Sequence, residues 1–200
     1  MKIFIIYENI FIINYIMPKR NKNNEYTFND YPDFRPNLSP REMFVAGSFG
    51  GTYWRPIYSS VNKKNYKNQH LNYPKSWWKG LPDNYLIAPW DKYDKTINTY
   101  NVMVGTTLEF WECKEWIKDL HPYGWVQWYC NFFKGKRSAD DERQVKRWMQ
   151  TAGPKSRFRK RLINMINNKK TTYDDFTISP KIRQTLQHWG YRLTKKDIKK

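Results

Sequence analysis

Apolar residues in the second half of this 200-residue chain recur at helical spacing; those in the first half do not. After Pro122, Trp125, Trp128, Tyr129, Phe132 and Phe133 fall at i, i+3, i+4, i+7 and i+8, with Val126 and Cys130 on a second face. A helix apolar on most sides belongs in the middle of a core. Before it, Thr106-Thr107-Leu108-Glu109 reads as a capping box that opens a helix running to about 118. After it, Ser138 is placed to cap a third helix, with Asp140, Asp141 and Glu142 in the first turn. The stripe of that helix is Val145, Trp148, Met149 and Ala152, and Gly153-Pro154 stops it. A fourth helix is predicted over roughly 155–167, with Phe158, Leu162, Met165 and Ile166 inward. Ser179-Pro180 opens a fifth, with Ile182, Thr185, Leu186 and Trp189 in a stripe that Gly190 ends.

The first half is punctuated rather than periodic. Residues 18–38, with Pro32 and Pro36, read as an extended arm. Ser39-Pro40-Arg41-Glu42 combines an N-cap, a proline at the first helical position and a glutamate at N3, which predicts a short helix that Gly47 caps. Ser48-Phe49-Gly50-Gly51-Thr52 lacks the Lys-Ser/Thr ending of a phosphate-binding loop and reads as a tight turn. Residues 52–60 suggest a strand broken at Pro56. From 61 to 104 no period is sustained; the expectation is a segment ordered by its aromatics, with short helices near 75–79 and a strand near 101–105. Trp54, Trp77, Trp78 and Trp90 are expected to pin this segment, and Trp125, Trp128, Trp148 and Trp189 to pack the helices. The fold class is therefore mainly α: a compact bundle of about five helices in the C-terminal half, with an irregular, aromatic-rich N-terminal half that holds a few short strands. No internal repeat is visible.

Residues 3–16 are apolar but too short to span a bilayer, and Glu8, Asn9 and Asn14 interrupt the run. They lack the cleavage site of a signal peptide. Met17 is the expected start, with an edge strand or a membrane-associated segment as alternatives for 1–16. The expected organisation is a dispensable start plus basic arm over 1–27, one α-rich domain over 28–194, and a basic tail over 195–200.

Composition adds a partner. Hydrophobic residues make up 40% and aromatics 18%, enough for a packed core, while the net charge of +18 calls for a polyanion: nucleic acid first, an anionic membrane second. The charge is uneven. Residues 1–133 carry net +4 and residues 134–200 net +14. Lysine is favoured by AT-rich codons, so arginine is the less biased witness. Arg137, Arg143, Arg147, Arg157, Arg159, Arg161, Arg183 and Arg192 all lie in that last third.

Within Gly153-Pro154-Lys155-Ser156-Arg157-Phe158-Arg159-Lys160-Arg161, five of residues 155–161 are cationic and sit at a helix start, where the dipole disfavours cations unless anions compensate. The segment reads equally as a phosphate-binding face or as a solvated one. With the preceding helix it has a helix-turn-helix outline. The candidate nucleic-acid contacts are Lys155, Arg157, Arg159, Lys160, Arg161, Arg143 and Arg147.

Catalytic signals are thin. Two cysteines and three histidines exclude a disulfide scaffold and a four-cysteine zinc site, and no cofactor or metal site is expected. Glu109, Glu112 and Glu115, or Asp140, Asp141 and Glu142, have the chemistry of a Mg²⁺ site for phosphodiester hydrolysis, but helix dipole and solvation account for both clusters. Cys113 and Cys130 are expected as buried free thiols, and neither forms a nucleophile–base pair with His188 that spacing supports.

Three blocks, RPNLSPREMFVAGSFGGTYWRPIYSS (35–60), GTTLEFWECKEWI with HPYGWVQWYCNFFKGKRSADDERQVKRWMQTAGPKSRFR (105–159), and SPKIRQTLQHWGY (179–191), resemble an uncharacterised protein family of large eukaryotic DNA viruses, also seen in some fungi and algae. The resemblance covers most of 30–194 and implies no catalytic residue. It suggests a viral setting. The expected function is a non-enzymatic, nucleic-acid-associated protein, an accessory to packaging or replication, inside the cell or in the virion and not secreted. The alternatives are a structural or interaction protein of a virus particle and a metal-dependent enzyme acting on nucleic acid.

Overall fold

The computed structural model describes residues 18–198. Its first helix, α1 (Pro40–Val45), begins as its residues dictate: the Ser39 side chain accepts from the Glu42 amide, and Glu42 reaches back to the Ser39 amide at 2.7 Å. Arg20 then grips the same Glu42 carboxylate at 2.6 Å. The segment 18–27 is thereby held in place, and Tyr26 packs edge-on against Phe133. Residues 1–17, with the Met17 start expected there, lie outside the described residues.

The broken strand over 52–60 is real only beyond Pro56. There β1 (Ile57–Ser59) pairs antiparallel with β2 (Lys64–Tyr66), Tyr58 opposite Asn65. A chain of 3-10 turns and one short helix, α2 (Lys75–Trp78), carries the irregular segment. No strand forms over 101–105. The Asn98 side chain instead organises that stretch, accepting from the Tyr100 and Val102 amides and donating to the Val102 carbonyl at 2.8 Å. At the 48–52 turn, Gly51 has φ +86° and a Cβ there would meet the Asn84 carbonyl oxygen at 2.2 Å, so only glycine lets these segments meet.

The remaining helices are α3 (Leu108–Cys113), α4 (Trp125–Phe133), α5 (Asp141–Thr151), α6 (Arg157–Lys169), α7 (Pro180–His188) and the single turn α8 (Lys195–Ile198). Thus the chain is mainly helical, with one two-stranded sheet among the described residues. Helix α4 is the axis: eight of its nine residues are buried, as an all-round apolar helix requires. Phe34 lies against Trp128, Phe132 and Trp148 at 5.1–5.6 Å, joining the N-terminal half to α4 and α5. Two polar tips around α4 tie it to its neighbours. The Tyr129 hydroxyl donates to the Leu38 carbonyl and the Trp128 indole to Asp141, both at 2.8 Å. Truncating one such buried ring costs about 3–5 kcal/mol.

Several boundaries differ from expectation, each for a local reason. Helix α3 is capped by Thr107 and ends at Cys113 rather than 118, because Glu115 turns left-handed at φ +55° and the Trp116 amide closes back on the Trp111 carbonyl. Ser138 lies before α5 and donates from its amide and hydroxyl to the Asp141 carboxylate, while the helix itself starts at Asp141. Ser179 makes no cap bond; Arg183 draws in the Ile178, Tyr173 and Asp175 carbonyls instead. A Cβ at Gly153 would meet the Met149 carbonyl oxygen at 2.5 Å, which explains glycine at the α5–α6 corner.

Helix α6 is registered differently from its predicted stripe. Ser156 caps it, Leu162 and Ile166 are fully buried, and the third inward position is Arg159, not Phe158. The charge is tolerated because Asp197 of α8 meets it: the Arg159 Nη2 donates to the Asp197 carboxylate, and the guanidinium stacks on Tyr191 at 4.1 Å. Residues 195–198 are therefore an integral turn of the fold and not a free tail. Lys196 of the same turn pairs with buried Glu25.

Candidate nucleic-acid interface

The structure divides the predicted cations into two groups. Arg143 is not free for a phosphate, since its guanidinium forks onto Asp140 (Nε at 2.5 Å, Nη2 at 2.8 Å). Burial pushes the Asp140 carboxyl up, yet the Arg143 and Gln144 hydrogen bonds outweigh it and leave its pKa below the usual carboxylate range. Arg159 is also excluded, being 6% exposed and paired to Asp197. Of the other arginines in the last third, Arg137 pairs with Asp30, Arg183 binds three carbonyls and Arg192 binds Gln187. Most of the arginine excess that singled out this region thus serves the fold.

Lys155, Arg157, Lys160 and Arg161 form the second group. All four are exposed, and none makes an ion pair among the described residues. Arg157, Lys160 and Arg161 occupy i, i+3 and i+4, so they share the outer face of α6. The backbone beneath them is firm, with the Ser156 cap and the buried Leu162 and Ile166 fixing that helix.

Arg147 belongs to neither group. It stacks at 5.3 Å over Trp189, and its Nη1 donates to the Trp116 carbonyl at 3.2 Å and to Gln144 at 3.1 Å. It faces a cleft of about 530 Å³ between the 104–126 segment and helices α5, α6 and α7. Burial and, after it, the neighbouring Arg143 charge pull the Arg147 pKa down to about 10. A second guanidinium, Arg55, reaches the same cleft over Trp90 at 5.1 Å, and burial lowers its pKa as well. Aromatic rings recur along the wall. Trp116, Phe110 and Phe158 are 46%, 41% and 38% exposed there. Trp125 is buried in the wall, and its Nε1 has no hydrogen-bond partner. Phe158 links the two features, because it lines the cleft from the first turn of α6, beside Arg157.

Sequence reasoning singled out Arg147 but not Arg55, Phe110, Trp111 or Trp116. The available signal was the density of aromatics in 108–117 without a continuous helical stripe to bury them.

In each acidic cluster the fold engages carboxylates that a metal would need. Glu112 accepts from the Ser59 hydroxyl, the Ser60 amide and the Ser60 hydroxyl at 2.8–3.1 Å. Asp141 is held by Trp128 and Ser138, and Asp140 by Arg143 and Gln144. Among the described residues no group of three or more His, Cys, Asp or Glu is positioned to hold a metal ion. Cys130 is fully buried, but Cys113 is exposed at the end of α3, contrary to expectation, because that helix stops there. His188 donates from Nε2 to the Ser48 carbonyl, and burial lowers its pKa to about 4. No helix among the described residues is long and apolar enough to cross a membrane.

No protein-family model, curated protein or solved structure matches this chain.

Proposed function

We propose that this chain is a basic, nucleic-acid-associated protein that binds phosphates through the outer face of α6 and carries out no chemical step. One observation supports it above the others. The cations of Lys155, Arg157, Lys160 and Arg161 stand together without an internal counter-charge among the described residues, whereas most arginines around them are neutralised or hydrogen-bonded. Like charges at i, i+3 and i+4 repel, and a row of phosphates relieves that repulsion. A role in packaging or replication within a viral setting belongs to the same proposal and draws on the sequence blocks.

The test compares two triple variants on a labelled duplex. Arg157, Lys160 and Arg161 changed to Gln should weaken binding strongly. Lys63, Lys64 and Lys67 changed to Gln, all exposed on and beside the β1–β2 hairpin, should weaken it little. Equal losses reduce the binding to generic attraction, and no binding by the wild type at about 0.15 M salt removes the reading altogether.

A further inference from the structure

The aromatic cleft beside α6 is built for a ligand that the cations alone do not explain. Its volume, about 530 Å³, lies within the range of small-molecule sites. Half-exposed ring faces at Trp116, Phe110 and Phe158 offer stacking surface. Two guanidiniums stand at its wall with no carboxylate paired to either among the described residues. Arg147 has spent one of its nitrogens on Trp116 and Gln144, which leaves further N–H donors of its fork for an anion.

A purely apolar occupant would leave the remaining N–H donors of the two guanidiniums without an acceptor, which costs affinity. A small inorganic anion would leave the ring faces uncovered. An unpaired nucleotide has a flat π-face, acceptors along the base edge and a phosphate. A duplex cannot fill the cleft without extruding a base, because its bases are stacked inside.

We propose that the cleft lined by Trp116, Phe110, Phe158 and Arg147 receives one unpaired base of a single strand, whose backbone then runs onto the outer face of α6. Phe158 is the physical join, lining the cleft from the turn that also carries Arg157. The proposal rests on the phosphate-binding reading of α6 and adds to it a preference for single-stranded nucleic acid.

The experiment measures anisotropy of a labelled 15-nucleotide single strand and of the matching duplex, with the wild type, Trp116→Ala, Trp116→Phe and the α6 triple Gln variant. The Trp116 side chain is half exposed and the carbonyl that Arg147 uses is backbone, so the alanine variant should keep its melting temperature. The wild type should prefer the single strand. Trp116→Ala should lose about 5- to 150-fold on the single strand, the range of one base–aromatic stack, and nothing on the duplex. Trp116→Phe should recover most of the loss, since a ring face returns. Unchanged single-strand affinity in Trp116→Ala, or an equal loss on both ligands, overturns the cleft assignment. Should the triple Gln variant still lose duplex binding in that case, the α6 reading survives alone. Binding of neither ligand by the wild type overturns both.

Discussion

Removing the charge of Asp197 should unfold this protein more readily than its place near the C-terminus suggests. The carboxylate accepts from Arg159, from the Tyr191 hydroxyl at 2.9 and 3.0 Å, and from the amide and hydroxyl of Thr194 at 2.7 and 3.0 Å. Its side chain is 3% exposed and that of Arg159 7%. Asp197→Asn keeps the shape but leaves the guanidinium without its counter-charge in a dry site. Breaking a buried pair from one side costs about 3–5 kcal/mol. For a chain of this size each kcal/mol moves the melting point by about 2–4 °C, so a fall of about 6–20 °C is expected. Urea titration followed by tryptophan fluorescence gives the free energy directly. Arg159→Met should cost a comparable amount alone, and the double variant with Asp197→Leu should cost less than the sum, since an apolar pair can replace a buried ion pair. A loss below about 1 kcal/mol for Asp197→Asn would place the pair in the class of exposed salt bridges and refute the argument.

Three further outcomes follow from single sites. The folded pKa of His188, about 4, lies below the ordinary 6.5, so its contribution is present above pH 6.5 and is lost as pH falls toward 4. The loss is at most about 3 kcal/mol, trimmed because the residue is only half-buried, and His188→Gln should flatten the pH dependence of urea midpoints over that interval. Of the two thiols, Cys113 should react at once with a disulfide reagent in the native protein and Cys130 only in denaturant, since full burial pushes its thiol pKa up; two fast thiols in the native state would contradict the placement. Asp141→Ala should cost about 1–3 kcal/mol by stranding the Trp128 indole N–H in the core, read by thermal melting; an unchanged melting point would show that this bond is dispensable.

What could be read from the chain is what depends on near neighbours. The Ser39–Glu42 cap is complete within four residues, and α4 announces itself by ring spacing over nine. Helix α3 stops early at a left-handed Glu115, a position with no glycine or proline to mark it. Arg159 reads from the sequence as a phosphate contact because a cation reads as exposed until its partner is known, and that partner lies 38 residues away. Arg143 differs from its expected role for another reason: its partner Asp140 is close in sequence, but an acidic residue in a first helical turn already has a reason to be there in the helix dipole. The cleft could not be read at all, since its walls come from segments as distant as Arg55 and Trp189.

The central claim is that the cations left unpaired on α6 are the ones that bind phosphate. Its most direct test is the slope of log affinity against log salt for a duplex, measured for the wild type and for the Arg157, Lys160 and Arg161 triple Gln variant. Each lost duplex contact should reduce the slope by about 0.9, so three contacts should flatten it by about 2.7. An unchanged slope, with the triple variant binding as the wild type does, would contradict the claim.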